Sequence, residues 1–111
     1  MKVFVTGSSS RLAAALLPRL CARPGIARVT GVDLRSPRFE HARFSATQLD
    51  IRDSRLEALI RDHDSLVHLA GVVSRGRVPD AEMFDINVNG AHKVFHAASR
   101  AGVRRLIHLY E

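Results

Sequence analysis

The 111-residue sequence predicts an α/β fold: a doubly wound parallel sheet of about five strands, ordered 3-2-1-4-5, covered by helices on both faces. Three observations carry that expectation. Short apolar runs alternate with amphipathic helical stretches along the whole chain. The runs at Val3 to Val5 and Leu66 to Leu69 read as strands buried on both faces. A glycine-bearing turn separates the first run from the first helical stretch.

The elements follow in order. Val3-Phe4-Val5 is the core of the first strand, and Ser8 to Ser10 supply turn and helix-capping chemistry. Arg11 to Cys21, rich in Ala and Leu, is a helix in which Pro18 removes the bond to Ala14 and predicts a kink. Pro24-Gly25 ends it. Arg28 to Asp33 is the second strand, Ser36 to Ala42 a loop carrying Pro37, and Arg43 to Leu49 a weaker third strand. Ser54 and Glu57 have capping-box spacing, which predicts a helix from there to about Asp62. Ser65 to Leu69 is the fourth strand. Asp80 to Ala101 reads as the longest helix, with Phe84, Val88, Ala91, Phe95 and Ala98 on one core-facing stripe. Gly102 follows as its terminator, and Arg104 to Tyr110 is the fifth strand.

Composition narrows the class. Hydrophobic residues make up 46% and charged residues 25%, as in an ordinary globular domain. The longest charge-free apolar stretch, Leu12 to Leu17, falls far short of the ~20 residues that cross a bilayer. The single cysteine, Cys21, cannot form an internal disulfide, and no familiar metal-ligand spacing includes it. With no signal-like start, a cytoplasmic location is expected. The formal charge of +6 is carried mostly by dispersed arginines, with 5% aromatic residues and no nucleic-acid motif. No specific nucleic-acid or membrane partner is therefore expected.

The chemistry sits in the turn Val5-Thr6-Gly7-Ser8-Ser9-Ser10-Arg11-Leu12-Ala13. Between a first strand and a first helix, exposed amides and a positive helix end suit a dinucleotide pyrophosphate. The turn resembles the Thr-Gly-x-x-Gly-x-x-Gly of the extended short-chain dehydrogenase/reductases, the NAD-dependent epimerase/dehydratase family. Thr6 and Gly7 match, while Ser10 and Ala13 replace the second and third glycines. Asp33, Asp50-Ile51-Arg52-Asp53, His68-Leu69-Ala70-Gly71, Asn87-Val88-Asn89-Gly90 and the passage Ala97 to Ile107 each resemble family segments in the same order.

That resemblance implies a Rossmann-like, NAD(P)-binding domain spanning residues 1–111 and ending after strand five, cytoplasmic in location. It implies that Thr6, Gly7, Ser9, Ser10, Arg11 and Leu12 surround the pyrophosphate. Asp33, with Leu34 and Arg35, would meet the adenosine ribose, and Asp50 and Ile51 would flank the adenine. Leu69, Ala70 and Gly71 would lie beside the pyrophosphate and nicotinamide half, and Asn87 would be either a polar helix-face residue near the cofactor loops or part of an active-site water network. Arg35 is placed to pair with a 2′-phosphate, but Asp33 would repel it, which favours NAD over NADP. His68 reads as a packing residue in the sheet. Family members carry a catalytic hydroxyl and a Tyr-x-x-x-Lys helix after strand five; here Tyr110 has no such lysine, so no catalytic residue is assigned. The chain is thus expected to be the cofactor-binding part of an oxidoreductase acting on a nucleotide sugar or similar hydroxyl or carbonyl compound, silent by itself. A stand-alone dinucleotide-binding sensor or recruiting module is the alternative. Homodimerisation, or self-association through the fifth strand, is the expected protein contact.

Overall fold

A computed structural model describes residues 1–71 and 78–109. In chain order the elements are β1 (Lys2–Thr6), α1 (Arg11–Ala22), β2 (Arg28–Asp33), β3 (Phe44–Gln48), α2 (Leu56–Ile60), β4 (Ser65–His68), α3 (Asp80–Phe84), a π-helical turn (Asp85–Asn89), α4 (Gly90–Ala101) and β5 (Arg105–His108). All strands run parallel in one sheet ordered β3-β2-β1-β4-β5, as the alternation predicts. In the central strand, Val5 stands beside Gly31 of β2 and Val67 of β4.

Both faces of this sheet are apolar because successive side chains point to opposite sides. On one face Val3 and Val5 join Val29 and Val67 against Ala13, Leu17 and Cys21 of α1. On the other, Phe4, Val32 and Leu66 pack against Leu56 and Ile60 of α2 and Val94, Ala97 and Ala98 of α4. Helix α1 is continuous through Pro18, which lies on its exposed side, where water can satisfy the carbonyl of Ala14. Arg43 completes the far end of α1: its Nη1 donates to the carbonyls of Cys21, Arg23 and Ile26 at 3.4, 3.4 and 3.3 Å. Burial pushes the Cys21 thiol pKa up, which leaves it a small apolar filler. Gly102 ends α4 in the left-handed conformation, with its amide and that of Val103 reaching back to Ala98.

The structure corrects three expectations. Ser54 does not cap α2; Arg55 holds that position without a side-chain cap. Asp53 takes the preceding turn instead, accepting from the Arg55 amide at 2.8 Å, while Glu57 is engaged by Arg100 at 2.6 Å. The long helix is not uniform, because the π-helical turn inserts an extra residue between α3 and α4. That shift of phase breaks the expected stripe: Ala91 and Ala98 are buried, but Phe84 is 59% and Val88 37% exposed. Val94 and Ala97 fill the core in their place, with Phe95 packed partly against it. Finally, β5 spans Arg105 to His108, and the Tyr110 end of the expected strand lies outside the described residues.

The two sheet edges differ in chemistry. On β3, Ser45, Thr47 and Gln48 are exposed and polar. On β5, Leu106 and Ile107 are 37% and 41% exposed. An apolar edge with open ladder positions templates pairing. The 111-residue chain is therefore expected to self-associate through β5, and sedimentation should show its mass rising with concentration. Ile107→Lys should move the distribution toward monomer, whereas Thr47→Lys on the opposite edge should not.

Candidate functional site

At the carboxyl ends of β1, β2 and β4 lies an open cleft of about 810 Å³. The site begins at Gly7, whose φ of +69° suits a residue without a side chain. A Cβ there would come within 2.7 Å of the Ala70 nitrogen, so the glycine is required by the β4 turn as well as by its own backbone. The chain then enters α1 through Ser10. The Ser10 amide donates to the Gly7 carbonyl at 3.0 Å, and its Oγ accepts from the Ala13 amide at 3.2 Å. Ser10 is thus a helix cap whose hydroxyl hydrogen is left over, and Ala13 packs fully buried against the sheet.

This capping leaves the amides of Arg11 and Leu12 with no acceptor among the described residues, and both residues line the cleft. Two amides at a positive helix end suit an anion. Asp33 ends β2 across the cleft. Its Oδ2 accepts from the Ser9 amide and its Oδ1 from the Arg35 amide, both at 2.9 Å. The carboxylate side chain is only 10% exposed, whereas the Arg35 guanidinium, 3.5 Å away, is 56% exposed. Ser9 also donates from Oγ to the Ser36 carbonyl at 2.7 Å, tying the loop after β2 to the glycine turn.

At the adenine-side end expected from sequence, Asp50 and Ile51 line the cleft. Arg52 holds both oxygens of Asp50, with Nη2 at 2.7 Å and Nε at 3.0 Å, and its Nη1 reaches Asp85 at 2.8 Å. That guanidinium keeps the Asp50 carboxyl below the usual carboxylate range. Asp85, which also accepts from Asn89, is likewise lowered. The pair fixes the π-helical turn, whose Ile86 and Asn87 line the cleft. Asn87 lies close to the β4 turn: a Cβ at Gly71 would be 3.1 Å from its Oδ1.

All the sequence-predicted site residues except Thr6 and Ser9 line this one cleft. Thr6 and Ser9 are buried behind it and support the turn. Sequence reasoning missed Arg38, Ile86 and His108, which also line it. Ile86 had a signal, since it adjoins Asn87; Arg38 and His108 belong to segments whose placement only the folded loop and β5 decide. His68 is buried in the sheet as expected, its Nδ1 2.6 Å from Thr6 Oγ1. Among the described residues there is no helix long and apolar enough to cross a membrane and no cluster of three His, Cys, Asp or Glu.

A doubly wound parallel sheet with a helix-capped glycine turn and an acidic residue ending β2 defines a dinucleotide-type α/β protein. The chain belongs to the NAD dependent epimerase/dehydratase family, whose profile matches residues 3–110. It is 33% identical to UDP-glucose 4-epimerase of Mycolicibacterium smegmatis, over 97% of this chain and 38% of that protein. A short-chain dehydrogenase/reductase superfamily protein from Agrobacterium tumefaciens, solved with bound NAD, is 28% identical with a TM-score of 0.83, covering 97% of this chain and 32% of its own. MoeE5, solved with UDP-glucose and NAD, shares the fold at a TM-score of 0.85 and 23% identity, covering 97% and 36%. The chain therefore spans well under half the length of these proteins, and NAD is the family's cofactor.

The buried imidazole makes stability depend on pH. Burial, and then the neighbouring His108, pull the His68 pKa from 6.5 to about 4. Below pH 6.5 the unfolded chain takes up this proton, while the folded chain resists it until about pH 4. Stability is thus whole above that window and falls across it as pH drops, by on the order of 3 kcal/mol. Urea midpoints measured at intervals between pH 7.5 and 4 should fall steadily with acidity. A flat profile down to pH 5 would contradict a buried neutral His68.

Proposed function

We propose that the cleft binds NAD and that the chain is the cofactor-binding portion of an oxidoreductase acting on a nucleotide sugar or a similar hydroxyl or carbonyl compound. The observation that carries the reading is the facing pair formed by the acceptor-free amides of Arg11 and Leu12 and the inward carboxylate of Asp33. The amides of Arg11 and Leu12 would hold the pyrophosphate, with the Ser10 side chain at the point of closest backbone approach. Asp33 would accept from the adenosine ribose hydroxyls, held in place by the Ser9 and Arg35 amides. Asp50 and Ile51 would flank the adenine, with Leu34 beside the ribose.

Leu69, Ala70, Gly71 and Asn87 would contact the nicotinamide half. NAD, when bound, supplies a hydride acceptor; these residues supply only binding and orientation. Substrate contacts and proton transfer fall to residues other than these, since the 111 residues contain no Tyr-x-x-x-Lys. The relative named UDP-glucose 4-epimerase is the support for a nucleotide-sugar substrate.

NAD is preferred over NADP because a 2′-phosphate would meet the Asp33 carboxylate before the more exposed Arg35. In calorimetric titration NAD should bind more tightly than NADP. Asp33→Ala should weaken NAD by about tenfold or more and narrow the gap between the two cofactors. Ser10→Gly should tighten NAD by removing a side chain beside the pyrophosphate, with a loss of only a few tenths of a kcal/mol from the helix cap. Unchanged affinity in both variants would refute the assigned cleft.

A further inference from the structure

Thr6 Oγ1, buried at the carboxyl end of β1, has three partners. It accepts from the amide of Ala70 at 3.2 Å and from that of Leu69 at 3.1 Å, the latter shared with the Thr6 carbonyl at 3.1 Å, and lies 2.6 Å from Nδ1 of His68. A hydroxyl has two lone pairs and one hydrogen. The two amides occupy the lone pairs, so the hydrogen goes to Nδ1. That nitrogen is then an acceptor, and the imidazole is neutral with its proton on Nε2.

We propose that His68, in this tautomer, is a positioning residue for the cofactor cleft: it orients the Thr6 hydroxyl so that its lone pairs hold the turn at residues 69–71 against Gly7. The proposal rests on the NAD reading above. Leu69, Ala70 and Gly71 all line the cleft, and the turn approaches Gly7 so closely that no Cβ fits between them. Any loosening of the Thr6–His68 contact therefore moves a cleft wall. The surroundings keep the ring neutral. Thr6 faces it from β1 and the edge of Phe95 from α4, at a centroid distance of 5.8 Å, and neither carries a charge. The titratable neighbour is His108 of β5, its ring 4.7 Å away, and burial pulls that pKa down as well.

A volume-filling role and a positioning role make different predictions. ¹⁵N spectra of the imidazole at pH 7 should show His68 protonated on Nε2 and bare on Nδ1; the opposite tautomer, or an imidazolium, overturns the proposal. His68→Asn keeps a carbonyl acceptor for the Thr6 hydroxyl, while His68→Leu fills space without one. Amide exchange at Ala70, held by the Thr6 hydroxyl, should stay slow in His68→Asn and quicken in His68→Leu and Thr6→Val, while Leu69, which also donates to the Thr6 carbonyl, should change less. NAD affinity should follow the same order, near wild type for Asn and about tenfold weaker for Leu and Val. The double variant His68→Leu/Thr6→Val should be no worse than the weaker single, because both remove one interaction. Equal behaviour of the Asn and Leu variants in exchange and affinity would reduce His68 to a spacer. If the wild-type protein shows no NAD binding, the cofactor reading fails, and the tautomer and amide exchange still decide whether His68 positions the turn.

Discussion

The pairing of β1 with β4 is the contact on which the rest depends. Strand β1 is central, and the connections on its two sides leave toward opposite faces of the sheet. Helix α1, leading to β2, covers the face of Val3 and Val5; α2 and α4, flanking β4, cover the face of Phe4 and Leu66. Where chains diverge in this way a crevice opens at the carboxyl ends of the strands. Its width is set by how closely the two strand ends approach. Thr6 and His68 are register partners, and just beyond them Gly7 and the Leu69–Ala70 peptide come closer than a side chain would permit. A sheet buried on both faces fixes the strands, and one hydroxyl and one glycine fix the mouth.

Charge in the crevice is distributed with little waste. The start of α1 offers donors without a cation in its first turn other than exposed Arg11. Asp33 spends both oxygens on backbone amides and still faces inward. Asp50 and Asp85 share Arg52, and Lys93 also acts on Asp85, so two carboxylates meet two cations and the far wall adds little net field of its own. One end of the crevice thus favours an anion and the other favours hydroxyl donors. A diphosphate joined to a ribose has that order of groups.

Much of this is legible in the amino-acid sequence. The strands announced themselves because residues such as Val3 to Val5 and Leu66 to Val67 are apolar on both faces, a pattern that only a covered parallel sheet rewards. The cleft residues were legible because motif order along the chain maps directly onto strand ends in this topology. The failures have physical causes. Phe84 and Val88 satisfy helical spacing with Ala91, and nothing in that spacing reveals an extra residue in the turn; the Arg52–Asp85 pair beside it joins positions far apart in sequence. Ser54 and Glu57 have the right separation for mutual capping, but a nearer carboxylate at Asp53 and a partner at Arg100 outcompete it. Arg43, reaching three carbonyls behind α1, carries no local signature at all.

The π-helical turn also bears on how this chain tolerates insertion and deletion. A turn of that kind holds one residue more than the surrounding helix requires, and that surplus lies between Arg52's anchor at Asp85 and the close-packed start of α4 at Gly90. Loss of a single codon within residues 85–89 would restore an uninterrupted α-helix at little backbone cost. Because the turn absorbs its surplus residue locally, α3 would keep its place relative to α4, and the change would fall on the wall residues themselves. Ile86 and Asn87 would swing out of the crevice while the core beneath Val94 stayed intact. A frame-preserving deletion there would therefore uncouple folding from ligand recognition, leaving a stable sheet with an altered wall.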